Sequence, residues 1–133
     1  MFLDTSFCID VMREGRRGKK GPASRKLESL GETPLYMSLF VACELQAGAR
    51  MSDNPHVELR KVQMFCEIVE MVRPDRSFAV AYGEAETFLC RNGTSIPTMD
   101  LLIGLTAKQY GLPLLTADDG HFRRIPGLVV ETY

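Results

Sequence analysis

The chain has no tryptophan, only two histidines, and among its four cysteines no Cys-x-x-Cys pair. Cys8, Cys43, Cys66 and Cys90 each lie in or beside an apolar segment and none has a histidine nearby. That pattern speaks against a zinc site or a disulfide framework, and inert, reduced core thiols are expected. No apolar run approaches the ~20 residues that a membrane span needs. The chain opens Met1-Phe2-Leu3-Asp4, with neither a basic leader nor a long apolar stretch, so no secretory signal is expected and the reading is cytoplasmic. Neither Gly-x-x-x-x-Gly-Lys-Ser/Thr nor Gly-x-Gly-x-x-Gly occurs, which leaves nucleotide-loop readings without support. Internal repeats and low-complexity tracts are absent too. A strong positive balance is also missing: 16 basic residues face 17 acidic ones, unlike a simple nucleic-acid binder.

What is present is a chain of 133 residues, 45% apolar, enough for one domain spanning 1–133 with a core of its own. Its charge is unevenly spread. Arg13, Arg16, Arg17, Lys19, Lys20, Arg25 and Lys26 fall in one stretch with only Glu14 against them. Gly15, Gly18, Gly21 and Pro22 punctuate that stretch, which reads either as a solvated, flexible loop or as a mobile arm that contacts phosphates.

The apolar pattern alternates short strands with helices. Phe2-Leu3 predicts a buried strand, and Phe7, Ile9, Val11 and Met12 have helical spacing, so Asp4 stands at a strand-to-helix junction. Ser24 to Leu30 predicts a short helix ending at Gly31. Pro34 to Met37 predicts a second strand, with Ser38 capping a helix from Leu39 to about Gly48. One long amphipathic helix is predicted over Val57 to Val72, another over Ser77 to Cys90, and an almost wholly apolar one opening at Asp100. Leu112 to Thr116 predicts a strand, His121 to Ile125 a helical turn, and Leu128 to Tyr133 a final strand. Such alternation implies an α/β layer fold, a mostly parallel sheet covered on both faces.

In such a sheet, functional groups collect where strands end, near the switch in strand order. Asp4 ends the first strand and Asp118-Asp119 follow the strand that ends at Thr116. Glu44 shares a helix face with Phe40 and Val41, where an ionised carboxylate is costly unless met by a cation or donors. Each acid has an ordinary explanation: Asp4 and Asp100 as helix caps, Asp118 as a turn residue, Glu44 as a side chain reaching past the apolar rim. Their arrival from four separate segments is harder to explain that way. Carboxylates gathered at low dielectric need a cation. An all-oxygen set selects Mg²⁺ or Mn²⁺, which can activate water at a phosphodiester. His56 and His121 have no partner acid at a triad-like spacing and read as structural.

Leu3-Asp4-Thr5-Ser6, Ala42-Cys43-Glu44-Leu45 with Gly48 behind, Asp100-Leu-Leu-Ile103, and Leu115-Thr116-Ala-Asp118 followed by Phe122 resemble the four signature blocks of the PIN-domain family. The length and order are similar to those of the VapC-type toxins of toxin–antitoxin pairs. The resemblance implies a PIN-like three-layer α/β/α sandwich and a Mg²⁺- or Mn²⁺-dependent endoribonuclease acting on structured RNA. It also implies a homodimer silenced by a cognate antitoxin, with no membrane partner. Carried over by position, Asp4, Glu44, Asp100 and Asp118 would bind the metal and carry catalysis, with Thr5 and Thr116 as polar supports. Asp118, two residues beyond Thr116, is preferred to Asp119. Gly104 falls where the family often has alanine, which would loosen its helix by up to ~1 kcal/mol. The competing readings are a non-catalytic PIN-like module that binds RNA or protein, and a Mg²⁺-binding receiver-type domain, whose arrangement of acids and a late lysine this chain lacks.

Overall fold

The computed structural model describes residues 1–17 and 20–133, with only the backbone of Arg16 and Arg17. Phe2–Leu3 forms β1, and Thr5–Arg17 (α1) and Pro22–Leu30 (α2) follow it. Tyr36–Ser38 (β2) leads into Leu39–Arg50 (α3) and Pro55–Ile68 (α4). Next come Glu70–Val72 (β3), Phe78–Arg91 (α5) and Thr98–Gln109 (α6). Leu114–Leu115 (β4), a 3-10 turn at Phe122–Arg124 and Val130–Glu131 (β5) complete the described elements.

The strands pair in the order β3-β2-β1-β4-β5, and every pairing among the described residues is parallel. This is the α/β sheet expected from the apolar pattern. Parallel neighbours need crossover helices, and such crossovers are right-handed. The chain moves one way across the sheet from β1 to β3 and the other way from β4 to β5. Right-handedness therefore sets α1 to α4 on one face and α5 and α6 on the other, which makes three layers. The direction reverses between β1 and β4, so the crevice at their carboxyl ends is the switch point of this sheet. The core there is dry: Phe2, Leu3, Phe7, Met37, Leu101, Ile103, Leu114 and Leu115 have no accessible surface.

Local sequence explains the elements that aim the site. Ser38 is both the last residue of β2 and the N-cap of α3, its Oγ accepting from the Val41 amide at 3.1 Å. The entry angle of α3, and so the direction of Glu44, is thereby tied to the sheet edge. Gly104 is buried, and a Cβ there would collide with Ile125 Cδ1. The glycine lets the turn around Phe122 sit close on α6, a packing role beside whatever it costs the helix.

Several expectations need correction. The helix predicted to run to Val72 ends at Ile68, and Glu70–Val72 is an edge strand; Val69 and Val72 suit either period over so short a span. The basic stretch is not a glycine-rich loop at its start, because α1 continues through Gly15 to Arg17 and Gly21 caps α2. Glu14 accepts from the Ala23 and Ser24 amides at 3.2 and 2.7 Å, covering the exposed donors of α2. The stretch is also less basic than its sequence: Arg13 pairs with Asp10, Lys20 with Glu28 and Lys26 with Glu131. The expectation of a phosphate-contacting arm at Gly18 and Lys19, and at the side chains of Arg16 and Arg17, lies outside the described residues.

The cysteines are corrected as well. Cys8 is buried and Cys66 partly so, whereas Cys43 and Cys90 are exposed on outward helix positions. Burial pushes the Cys8 thiol well above its ordinary range, with the charge of Asp4 adding to it, and burial raises Cys66 too. A thiol reagent at neutral pH is expected to label Cys43 and Cys90 rapidly and Cys66 slowly. Cys8 should react only on unfolding. Four equally fast thiols in the native protein would contradict this packing.

Candidate active site

The crevice is built outward from Asp4. The amide of Asp4 donates to the Leu115 carbonyl at 3.0 Å, extending the β1–β4 ladder by one residue and laying Asp4 beside Thr116. Asp4 is 6% exposed. Its Oδ2 accepts from Ser6 Oγ at 2.6 Å, from Thr116 Oγ1 at 2.8 Å and from the Ser6 amide at 3.3 Å. Asp4 thus caps α1, as its position suggested, and is also held from the neighbouring strand. Hydrogen bonds to a charged group are worth roughly 1.5–3 kcal/mol each, against a burial penalty of several kcal/mol for an ion. The two hydroxyls are therefore sufficient to hold this carboxylate in the crevice. Among the described residues no hydrogen bond falls on the other oxygen, Oδ1, which leaves it free to meet a ligand.

The hydroxyls are fixed in turn. Ser6 Oγ accepts from the Ala117 amide at 3.0 Å, and Thr116 Oγ1 accepts from the Asp118 amide at 3.2 Å. Asp4, Ser6, Thr116 and the turn after β4 therefore form one polar unit across the switch point. Asp118 joins it through its backbone; its carboxylate lies at the exposed surface and accepts from the Gly120 amide at 3.0 Å. Asp119 is engaged by the guanidinium of Arg123.

Glu44 enters from α3. Thr5 Oγ1 donates to its Oε2, which makes Thr5 a hinge between the first turn of α1 and the middle of α3. Glu44 is half-buried, and burial raises its carboxyl above the ordinary range. The Thr5 bond opposes that, and the nearby charges of Asp4 and Asp100 push it further up. Asp100 is the third residue of α6 rather than its cap, a role that Pro97 fills. Its Oδ2 meets His121 Nδ1 at 2.7 Å. His121 therefore has a partner acid after all, 21 positions away in sequence, a separation that no local motif reveals. His56 is exposed at the start of α4.

Asp4 and Asp100 are thus both within electrostatic reach of Glu44, and Asp118 is joined to Asp4 through Thr116. Among the described residues no three His, Cys, Asp or Glu side chains stand close enough to hold a metal ion as they lie. The donor chemistry nonetheless fits a hard divalent cation: the four acids all offer oxygen, and the charge on Glu44 is disfavoured by like charges that such an ion would neutralise. Beside Glu44, a groove of about 420 Å³ runs between α1, α3 and α4 over Ile9, Met12, Leu45, Ala49 and Val62.

Glu44 has a consequence for stability. A carboxyl whose folded pKa is raised contributes fully below the ordinary glutamate range, and that contribution is lost as pH rises through the folded pKa. At neutral pH the ionised Glu44 is a liability, moderated by its partial exposure. Glu44→Gln, which still accepts from Thr5, is expected to raise the thermal midpoint at pH 7 in a chelator by a few degrees at most. The gain should vanish near pH 4. A lowered midpoint at pH 7 would contradict the proposed repulsion.

The PIN domain family model matches residues 1–128. The Ribonuclease VapC2 of Rickettsia felis is 30% identical over 98% of this chain and 96% of its own length. The tRNA(fMet)-specific endonuclease VapC of Salmonella typhimurium is 29% identical, again over 98% of this chain and 96% of its own. The crystal structure of VapBC2 from Rickettsia felis bound to a promoter DNA fragment contains a chain that superposes with a TM-score of 0.89 at 27% identity, covering 99% of this chain and 97% of that one. These likenesses run the length of the sheet and include the segments that bear Asp4, Glu44, Asp100 and Asp118. The chain belongs to the PIN-domain family and, within it, to the VapC toxins.

Proposed function

We propose that the chain, one domain over 1–133, is an endoribonuclease that uses Mg²⁺ or Mn²⁺ to hydrolyse phosphodiester bonds in structured RNA, and that Asp4, Glu44, Asp100 and Asp118 hold the metal and carry catalysis. The observation that bears most weight is Glu44, held by Thr5 in a half-buried position where Asp4 and Asp100 disfavour its charge. A merely structural glutamate gains nothing from that position, whereas a cation ligand gains from the neighbouring negative charge. When bound, a divalent ion supplies an activated water and charge stabilisation at the phosphoryl group.

The protein's own residues do the rest. Thr5 orients Glu44 toward the crevice. Ser6 and Thr116 hold Asp4 by one oxygen and leave Oδ1 for the ion. The backbone of Asp118 is fixed by Thr116, which itself bonds Asp4, while the carboxylate of Asp119 is occupied by Arg123. That contrast favours Asp118 as the fourth ligand. The serine of the crevice, Ser6, has its Oγ committed to Asp4 and to the Ala117 amide, so the attacking oxygen is that of water, and one of the acids accepts its proton.

A cognate antitoxin is the natural partner, as the VapBC complex among the relatives indicates. The groove beside Glu44, with its apolar floor, offers a docking surface for such a polypeptide. We place the protein in the cytoplasm as a homodimer; no described helix is long and apolar enough to cross a membrane.

Purified protein with Mn²⁺ is expected to cleave RNA, and the tRNA(fMet) in the name of the Salmonella relative is the first substrate to try. A chelator should stop the reaction, and Glu44→Gln or Asp100→Asn should abolish it while melting remains cooperative. Wild-type cleavage rates in both variants would remove the acids from the mechanism. Asp118→Asn should lose more activity than Asp119→Asn in the same gel assay, and the reverse order would move the fourth ligand to Asp119.

A further inference from the structure

Asp100 is the only one of the four acids whose carboxylate, among the described residues, is bonded by another ionisable side chain at the crevice. His121 Nδ1 lies 2.7 Å from Asp100 Oδ2, and the two side chains are 41% and 26% exposed. The ring comes from the turn after β4, the same turn that carries Asp118, and reaches back to the first turn of α6. That turn is clamped on α6. Phe122 and Ile125 are buried against it, Gly104 lets them approach, and Arg124 Nη1 donates to the Ser95 carbonyl at 3.3 Å just before α6 begins.

We infer that His121 is a positioning residue: its Nδ1–H donates to Asp100 Oδ2, fixes the carboxylate rotamer, and leaves Oδ1 to turn toward Asp4 and Glu44. The inference rests on the metal-site reading above. The physical case is one of geometry. Asp100 is not the cap of α6, and among the described residues no hydroxyl holds it as Ser6 and Thr116 hold Asp4 and as Thr5 holds Glu44. Without the ring its carboxylate is free to rotate, and the repulsion from Asp4 and Glu44 would turn it outward. A carboxylate ligand is generally oriented by a hydrogen bond on its outer oxygen, and loss of such a partner typically costs about 10–100-fold in metal affinity or activity. The same bond ties the α6 acid to the turn of Asp118, so two acids from opposite sides of the switch point keep a fixed relation.

The identity of the donating nitrogen makes this testable by isosteres. Asn places an amide nitrogen where Nδ1 stands, whereas Gln places it nearer Nε2 and Ala offers nothing. The experiment compares wild type with His121→Ala, His121→Asn and His121→Gln by calorimetric titration with Mn²⁺ alone, by kcat and KM on RNA, and by thermal melting. His121→Ala is expected to weaken Mn²⁺ binding by about tenfold or more and to lower kcat with KM nearly unchanged. His121→Asn should recover most of both losses and His121→Gln little. Should alanine prevent folding, the comparison of Asn with Gln still decides the matter. Mn²⁺ affinity and kcat in His121→Ala within twofold of wild type would overturn the inference, as would Gln restoring function as well as Asn. Failure of the wild type itself to bind Mn²⁺ would overturn the metal-site reading instead, so the two failures are distinguishable.

Discussion

The parallel pairing of β1 with β4 is the constraint on which the rest depends. Phe2 stands opposite Leu114 and Leu3 opposite Leu115, so the next pair along is Asp4 and Thr116. A slip of one residue would turn Asp4 to the other face and put a side chain of the wrong period in its place. Register is secured by burial, since all four paired residues are completely enclosed. An apolar ladder two residues long thus sets the position of a charged group that could not secure itself. The same pair of strands is where the crossovers reverse, so the groups at their ends lie at the switch point of the sheet.

Around that fixed point the chain handles negative charge in graded fashion. Asp4, the most enclosed acid, has the most donors: two hydroxyls and an amide on one oxygen. Glu44, half-buried, has one hydroxyl and keeps a charge that its surroundings resist. Asp100, likewise partly buried, leans on a histidine, and Asp118 stands in solvent. The buried acid has the most donors and the exposed one the fewest, which is how a set of like charges can be assembled without unfolding the domain. The residual strain on Glu44 is the kind of local instability that proteins retain at functional sites at some expense of stability.

Much of this was legible in the sequence, and the limits have physical causes. The α/β class, the strand-end placement of Asp4 and the Ser38 cap follow from local periodicity and capping chemistry. The edge strand Glu70–Val72 was hidden because a three-residue strand after a helix offers too little pattern to separate a period of 2 from one of 3.6. Cys43 and Cys90 were misread as core because neighbours in sequence are apolar while the helix turns these two outward. The Asp10, Glu28 and Glu131 partners of Arg13, Lys20 and Lys26 come from tertiary or helical proximity that a count of nearby charge overlooks. At the site, each acid could be nominated from its segment. The hydroxyl network through Ser6 and the His121–Asp100 pair could not, because both join segments whose relation only the folded sheet decides.

The central claim is that Asp4, Glu44 and Asp100 share a divalent ion. Anomalous diffraction from crystals of the wild-type protein soaked in Mn²⁺ tests it most directly. The account predicts a manganese peak in the crevice at the ends of β1 and β4, with oxygens of these three carboxylates in its coordination or water shell. A crevice without manganese at saturating concentration, or a peak held by other residues, would contradict it.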